Sequence, residues 1–120
     1  MKIDNKTRRK VIAENALHAR SFLSRMRGLM LRRKPVALVI EAPHQGIEST
    51  SIHMFFMLFS IDVVWVDESG SAVDLRKRIR PFSLNIFKPS GPAKYVLELP
   101  VGVIELSKTQ IGDKIILKDI

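Results

Sequence analysis

Ile61-Asp62-Val63-Val64-Trp65-Val66-Asp67-Glu68-Ser69-Gly70 decides the fold class. Its first six residues are β-branched or aromatic apart from one carboxylate, which suits a packed, pleated strand better than a helix. Asp67-Glu68-Ser69-Gly70 then joins a side chain able to hydrogen-bond its own backbone to a residue tolerant of positive φ. It predicts a hairpin turn that returns the chain through Ala72 to Arg76.

Upstream, residues 52–57 are apolar and ambiguous by period alone, and the strand that follows them favours a second strand, separated by Leu58-Phe59-Ser60. Residues 37–41 read as a buried strand entering a loop at Pro43-His44-Gln45-Gly46. Residues 9–13 read as a first strand, continued by residues 16–19 after an Asn15 turn or bulge. Downstream, residues 95–99 and 115–117 are further strands, the last one entered through a turn at residues 111–114.

The period changes only after Ser21, a plausible N-cap. Phe22, Met26 and Leu29 recur at i, i+4 and i+7, marking one face of a short helix that ends near Gly28, with Arg25, Arg27, Arg32 and Arg33 outside. Pro100 can start a second short helix or a turn running to Lys108. Pro81, Pro89, Gly91 and Pro92 make residues 80–93 a long surface loop. About seven short strands, hairpin connections and no βαβ alternation predict a mainly β fold: an antiparallel β-sandwich or partly closed barrel with one or two short helices.

A chain of 120 residues fits one domain, 1–120, with room for one core. Hydrophobic residues at 46% and charged residues at 27% exclude a disordered chain. The absence of cysteine removes disulfides, thiolate metal sites and cysteine nucleophiles, and it fits a reducing compartment. Val11-Ile12-Ala13 meets Glu14 and Asn15 at once, so no signal-peptide apolar stretch develops. The longest segment free of formal charge, residues 49–61, is too short to span a bilayer. These features predict a cytoplasmic protein with no membrane partner.

The net charge of +8 is unevenly spread: eleven Lys/Arg against two acids in residues 1–34, none against six in 35–75, and six against none in 76–94. Two basic blocks, 1–34 and 76–94, therefore bracket an acidic, apolar middle. They provide either a footprint for nucleic acid or anionic lipid, or a solvated surface that keeps the domain soluble.

Four segments, in order along nearly the whole chain, carry a family resemblance: residues 27–30 (Arg-Gly-Leu-Met); residues 52–57 with 61–64; residues 95–102 (Tyr-Val-Leu-Glu-Leu-Pro-Val-Gly); and residues 111–115 (Ile-Gly-Asp-Lys-Ile). Together they resemble the domain-of-unknown-function 192 family. The resemblance implies a compact β-sandwich-like fold and no particular reaction. Ser60 stands where that family commonly has proline, and Phe82 follows Pro81 where tryptophan is frequent.

Asp62 and Glu98 each sit inside an apolar strand, where a carboxylate is expensive unless paired or hydrogen-bonded. Either they face a shared pocket as acid, base or ligand contacts, or they hold backbone N–H groups or an arginine such as Arg27. Met57, at the end of an apolar run beside a turn, and His53 join them as ligand-pocket candidates. His44, Glu48 and His53 contain metal-ligating atoms, but their spacing matches no standard ligand set, so no metal or other cofactor is predicted. Met26, Met30, Met54 and Met57 have apolar neighbours and read as core filling. Glycine loops for phosphate, nucleophile elbows and zinc-binding helix motifs do not occur.

Arg76, Lys77, Arg78, Arg80 and Lys88 interleave with Phe82 and Phe87 in a manner that single-stranded nucleic acid can use, although the two rings also serve to pin a loop. The sequence therefore favours a small domain that binds a small ligand or peptide. A nucleic-acid-associated protein using the two basic blocks is the alternative, and an enzyme using Asp62 and Glu98 the third reading.

Overall fold

The computed structural model describes residues 1–30, 32–54 and 56–119, excluding the side chains of Phe22, Leu23 and Met26. Among these residues the elements run β1 (Lys2–Asn5), β2 (Lys10–Ala13), β3 (Leu17–Ala19), α1 (Phe22–Arg27), β4 (Leu38–Gly46), β5 (Ile52–His53), β6 (Ile61–Val66), β7 (Ala72–Ile79), β8 (Ile86–Phe87), β9 (Ala93–Pro100), α2 (Val103–Ser107) and β10 (Ile115–Lys118). A 3-10 turn, Glu48–Thr50, lies between β4 and β5. The protein is mainly β, and its sheets are open rather than closed into a barrel.

The centre is a five-stranded sheet in the order β3-β4-β9-β6-β7. All six residues of β6 are buried, and the strand lies between β7 and β9, antiparallel to both. The predicted hairpin forms: Asp67 Oδ1 accepts from the N–H groups of Ser69 and Ser71 at 3.0 and 2.9 Å. β3 and β4 pair in parallel, against the expectation of hairpin connections alone. Their crossover is α1, whose Ser21 side chain accepts from Ser24 N–H at 3.1 Å and whose Gly28 N–H donates to Ser24 O at 3.0 Å. The helical face expected from Phe22, Met26 and Leu29 lies partly outside the described residues, as do the Met26 side chain and Phe55. Leu29 is buried.

Four expectations about length and order need correction. β1 lies in the basic N-terminal stretch, where Lys2 and Asp4 mask a two-residue alternation that buries Ile3 and Asn5. β4 runs on through the expected loop at 43–46, and the strand expected at 52–57 shrinks to Ile52–His53. The predicted 80–93 loop is shorter than it reads, because β8 pairs with β5 and β9 begins at Ala93. Arg76, Lys77 and Arg78 lie on the edge strand β7, a usual device for blunting an unpaired edge.

Two clusters of buried side chains lie on opposite faces of the central sheet, where composition suggested one. One face carries Val63, Trp65 and Val96 against Leu29, Ile52, Met54 and Met57. The other carries Val64, Leu97 and Leu99 against Ile3, Ile12, Ile104 and Ile115, that is, against α2 and the three-stranded sheet β10-β1-β2. That second layer is locked by a buried polar group. Asp113 accepts from Arg8 Nε and Nη2 at 3.0 and 3.1 Å, from Asn5 Nδ2 at 2.9 Å and from Gln110 N–H at 2.9 Å. Burial alone raises its pKa, but the bonds from Arg8, Asn5 and Gln110 outweigh burial and hold the carboxyl below its usual range. No helix among the described residues is long and apolar enough to cross a membrane.

Asp62, 1% exposed, accepts from the backbone N–H groups of Arg78 (3.0 Å), Gly102 (3.1 Å) and Ile104 (3.1 Å). It fixes the irregularity at which Arg78 takes a positive φ of 54°, and it caps α2 from across the sheet. Asp62→Ala strands these donors, one buried and two partly buried, and should lower the unfolding free energy by about 3 kcal/mol in urea denaturation, with Asp62→Asn intermediate. An alanine variant within about 0.5 kcal/mol of wild type would contradict this role.

Candidate functional site

Glu98 has a different position. In the β6–β9 register Val63 faces Glu98 and Asp62 faces Leu99, so the two carboxylates project to opposite faces of the sheet. The shared-pocket pairing of Asp62 with Glu98 is not formed. The side chain of Asp62 is spent on backbone donors, which was the structural alternative. Glu98 is 5% exposed, and its Oε1 is buried with no hydrogen-bond partner among the described residues, Arg27 included.

Glu98 lines a cavity of about 390 Å³, within the range of small-molecule sites. Three segments wall it. The end of α1 supplies Arg25, Arg27, Gly28 and Leu29; β4 and β9 supply Ile40, Pro43 and Val96; residues 49–53 and Met57 close the third side. Trp65, fully buried, donates from Nε1 to Thr50 O at 2.7 Å and so fixes the third wall to the central sheet. Gly28 is required here. Its φ of 49° with ψ of −128° is foreign to L side chains, while a Cβ would stand at an ordinary contact distance, 3.4 Å, from Glu98 Oε1, so the backbone and not the space demands glycine.

The surroundings of Glu98 are apolar at Leu29, Met30, Ile40, Ile52, Met57 and Val96. The three wall hydroxyls are committed to backbone carbonyls: Ser49 to His44, Thr50 to Gly46 and Ser51 to Glu48, at 3.0, 2.8 and 2.9 Å. Burial therefore acts unopposed and pushes the Glu98 carboxyl from 4.5 up to about 7. Near neutral pH it is a carboxylic acid much of the time, able to donate as well as accept.

Of the ligand-pocket candidates, His53, Met57 and Glu98 meet at this cavity and Asp62 does not. Met57 is 2% exposed and belongs to the wall rather than the mouth. His44 and Glu48 are exposed, Glu48 pairs with Lys88 at 2.7 Å, and no group of three metal-ligating side chains occurs among the described residues. Met54 is buried in the core, while Met30 packs at its margin and also lines the cavity.

Three of the nucleic-acid candidates already contact other side chains of the fold. Arg76 lies over the Phe87 ring at 5.7 Å, Arg78 pairs with Glu105 at 3.5 Å, and Lys88 is held by Glu48. Of the two aromatic residues, Phe87 packs against the core, whereas Phe82 is 57% exposed and does not pin its loop. Sequence reasoning missed Gly28, Arg25 and the 49–51 wall as pocket elements. The Gly28 signal was present, as a glycine at a helix end that faces another strand's carboxyl only once folded.

Because the folded pKa of Glu98 lies above the unfolded value of 4.5, its contribution to stability is fully present below pH 4.5 and is lost as pH rises through about 7. Wild type should lose about 3 kcal/mol from this group between about pH 4.5 and about pH 8. Glu98→Gln should flatten the curve in that window, as read by urea denaturation across pH. A wild-type curve already flat there would refute the assignment.

A family model of DUF192, described as an "Uncharacterized ACR", matches residues 2–117. A UPF0127 protein of Thermococcus sibiricus is 47% identical over 112 residues, which is 92% of this chain and 71% of that protein. UPF0127 protein PF1050 of Pyrococcus furiosus is 32% identical over 92% of this chain and 93% of its own length. The fold matches the crystal structure of a protein of unknown function from Novosphingobium aromaticivorans with a TM-score of 0.81 at 18% identity, over 97% of this chain and 82% of that one. With pattern, relatives and fold in agreement, this chain belongs to the DUF192 family.

Proposed function

We propose that this protein is a small-ligand-binding domain of the cytoplasm, and that its ligand is a compact, largely apolar molecule presenting an amide or amine to Glu98. The observation that carries this reading is the buried Glu98 carboxyl, whose Oε1 has no partner among the described residues while the group lines a cavity of about 390 Å³. A buried polar atom without a partner costs free energy that a ligand donor would recover. Apolar walls supply the remaining affinity, and Arg25 and Arg27 on one side disfavour ligands with a second positive charge. A peptide would have to enter by one side chain, since the cavity holds a group of side-chain size.

The nucleic-acid reading ranks behind it, because base stacking needs free rings and Phe87, one of the two rings interleaved with the basic residues, packs against the core. A two-carboxylate enzyme lacks support, with Asp62 and Glu98 on opposite sheet faces.

Thermal-shift and calorimetric titration with alkyl amides and alkyl amines tests the proposal, since ligands that bind only the folded state raise its melting temperature. Binders should protect wild type, lose about tenfold or more in affinity in Glu98→Leu, and be excluded by Met57→Trp. Equal affinity in all three proteins would overturn it, as would the absence of any binder while nucleic acid binds in a salt-dependent way.

A further inference from the structure

Beside the cavity lies a surface that the pocket does not use. Phe56, Leu58, Phe82, Leu84 and Ile86 are 60, 45, 57, 85 and 60% exposed. They come from segments tied together by the backbone. Phe82 N–H donates to Met54 O at 3.1 Å, Met57 N–H to the same oxygen at 3.2 Å, and Ile86 pairs with His53 across β5–β8. Phe56 and Phe82 hold φ of 61° and 57°, a conformation rare for aromatic residues, and both rings nevertheless remain at the surface. Large side chains grouped on one side of a small protein usually mark a contact surface.

The segment beside them is basic, and the acids that meet it, Glu48 at Lys88 and Glu105 at Arg78, form exposed pairs of the kind that contribute little. Residues 76–94 contain six Lys/Arg and no acid. Arg76 lies over Phe87, the neighbour of Ile86; Arg80 is two residues before Phe82; Lys88 follows Phe87. We infer that the projecting apolar residues Phe56, Leu58, Phe82, Leu84 and Ile86, flanked by Arg76, Arg80 and Lys88, dock this protein on an anionic bilayer surface. The shape favours a bilayer over an acidic polypeptide. Phe82, Leu84 and Ile86 are each more than half exposed and none of them lines the Glu98 cavity, so they offer side chains that can sink between headgroups rather than the walls of a groove that receives a chain. The cations beside it meet lipid phosphates, whose attraction adds to the buried apolar area. The sequence excluded a spanning segment and predicted no membrane partner; a surface contact requires no span.

Flotation with vesicles of phosphatidylcholine alone, or of equal parts phosphatidylcholine and phosphatidylglycerol, tests this. The protein should float with the anionic vesicles at low salt, float less as salt rises, and remain behind with the neutral ones. Phe82→Ser/Leu84→Ser/Ile86→Ser and Arg76→Gln/Arg80→Gln/Lys88→Gln should each lower partitioning by about tenfold or more, with circular dichroism confirming the fold. If either triple variant unfolds, Leu84→Ser and Arg80→Gln alone carry the test, with smaller losses expected. The inference is overturned by failure to float with anionic vesicles, or by flotation that ignores the serine substitutions and so reports charge adsorption alone. It is also overturned if sedimentation shows a dimer that Leu84→Ser dissociates, or if a glutamate–tyrosine copolymer binds more tightly than the vesicles.

Discussion

The antiparallel pairing of β6 with β9 inside a sheet covered on both faces is the constraint on which the rest of the structure depends. A strand buried on one side can turn its polar residues to water. Here all six residues of β6 are buried, as are four consecutive residues of β9, so every polar group on them must find its partner inside the protein or go without. The chain places one carboxylate on each strand, and the pleat sends them to opposite faces. Asp62 meets three backbone donors and becomes a structural tie. Glu98 meets apolar side chains and a cavity, and remains unsatisfied. A difference in partners, rather than in residue type, separates scaffold from site.

The cavity itself follows from unequal covering of the two faces. One face is closed by a second sheet and α2. The other is closed by α1 and a run of short segments. Six helical residues extend about 9 Å, while the eight residues of β9 extend about 26 Å. A helix so short leaves most of β9 uncovered, and the 3-10 turn and β5 fill only part of the remainder. Trp65 holds that partial cover in place through Thr50, so the gap over Glu98 is a fixed feature of the packing.

The sequence was legible where local chemistry is strong. The β-branched run of β6, the Asp67–Gly70 turn chemistry and the Ser21 cap each specify their structure within a few residues, and each forms as read. It was illegible where partners are distant. β1 is held by pairing with β10 at the other end of the chain, and a four-residue strand with two charges carries too little pattern to announce that. The parallel β3–β4 pair was hidden because α1 is far shorter than the helices that usually mark a crossover. For the site, His53, Met57 and Glu98 were legible as polar or adaptable residues in apolar runs. Which carboxylate faced the cavity depended on a one-residue register, and register emerges only from the assembled sheet.

Placed in the fold, the segments that carry the family resemblance divide between two tasks. Residues 27–30, Ile52, His53, Met57 and Glu98 converge on the cavity, from three parts of the chain. Asp62 and Gly102 meet in one hydrogen bond, and Asp113 closes the Arg8 and Asn5 network that holds the second sheet. The second group is fully explained by the fold, since each polar atom in it has a structural partner. The first is not. A fold needs no carboxyl left without a partner in an apolar wall, because leucine at Glu98 would pack the same strand at lower cost. A residue that burdens the fold without supporting it is most simply understood through what meets it from outside, and Glu98 lines the cavity where such a contact would form.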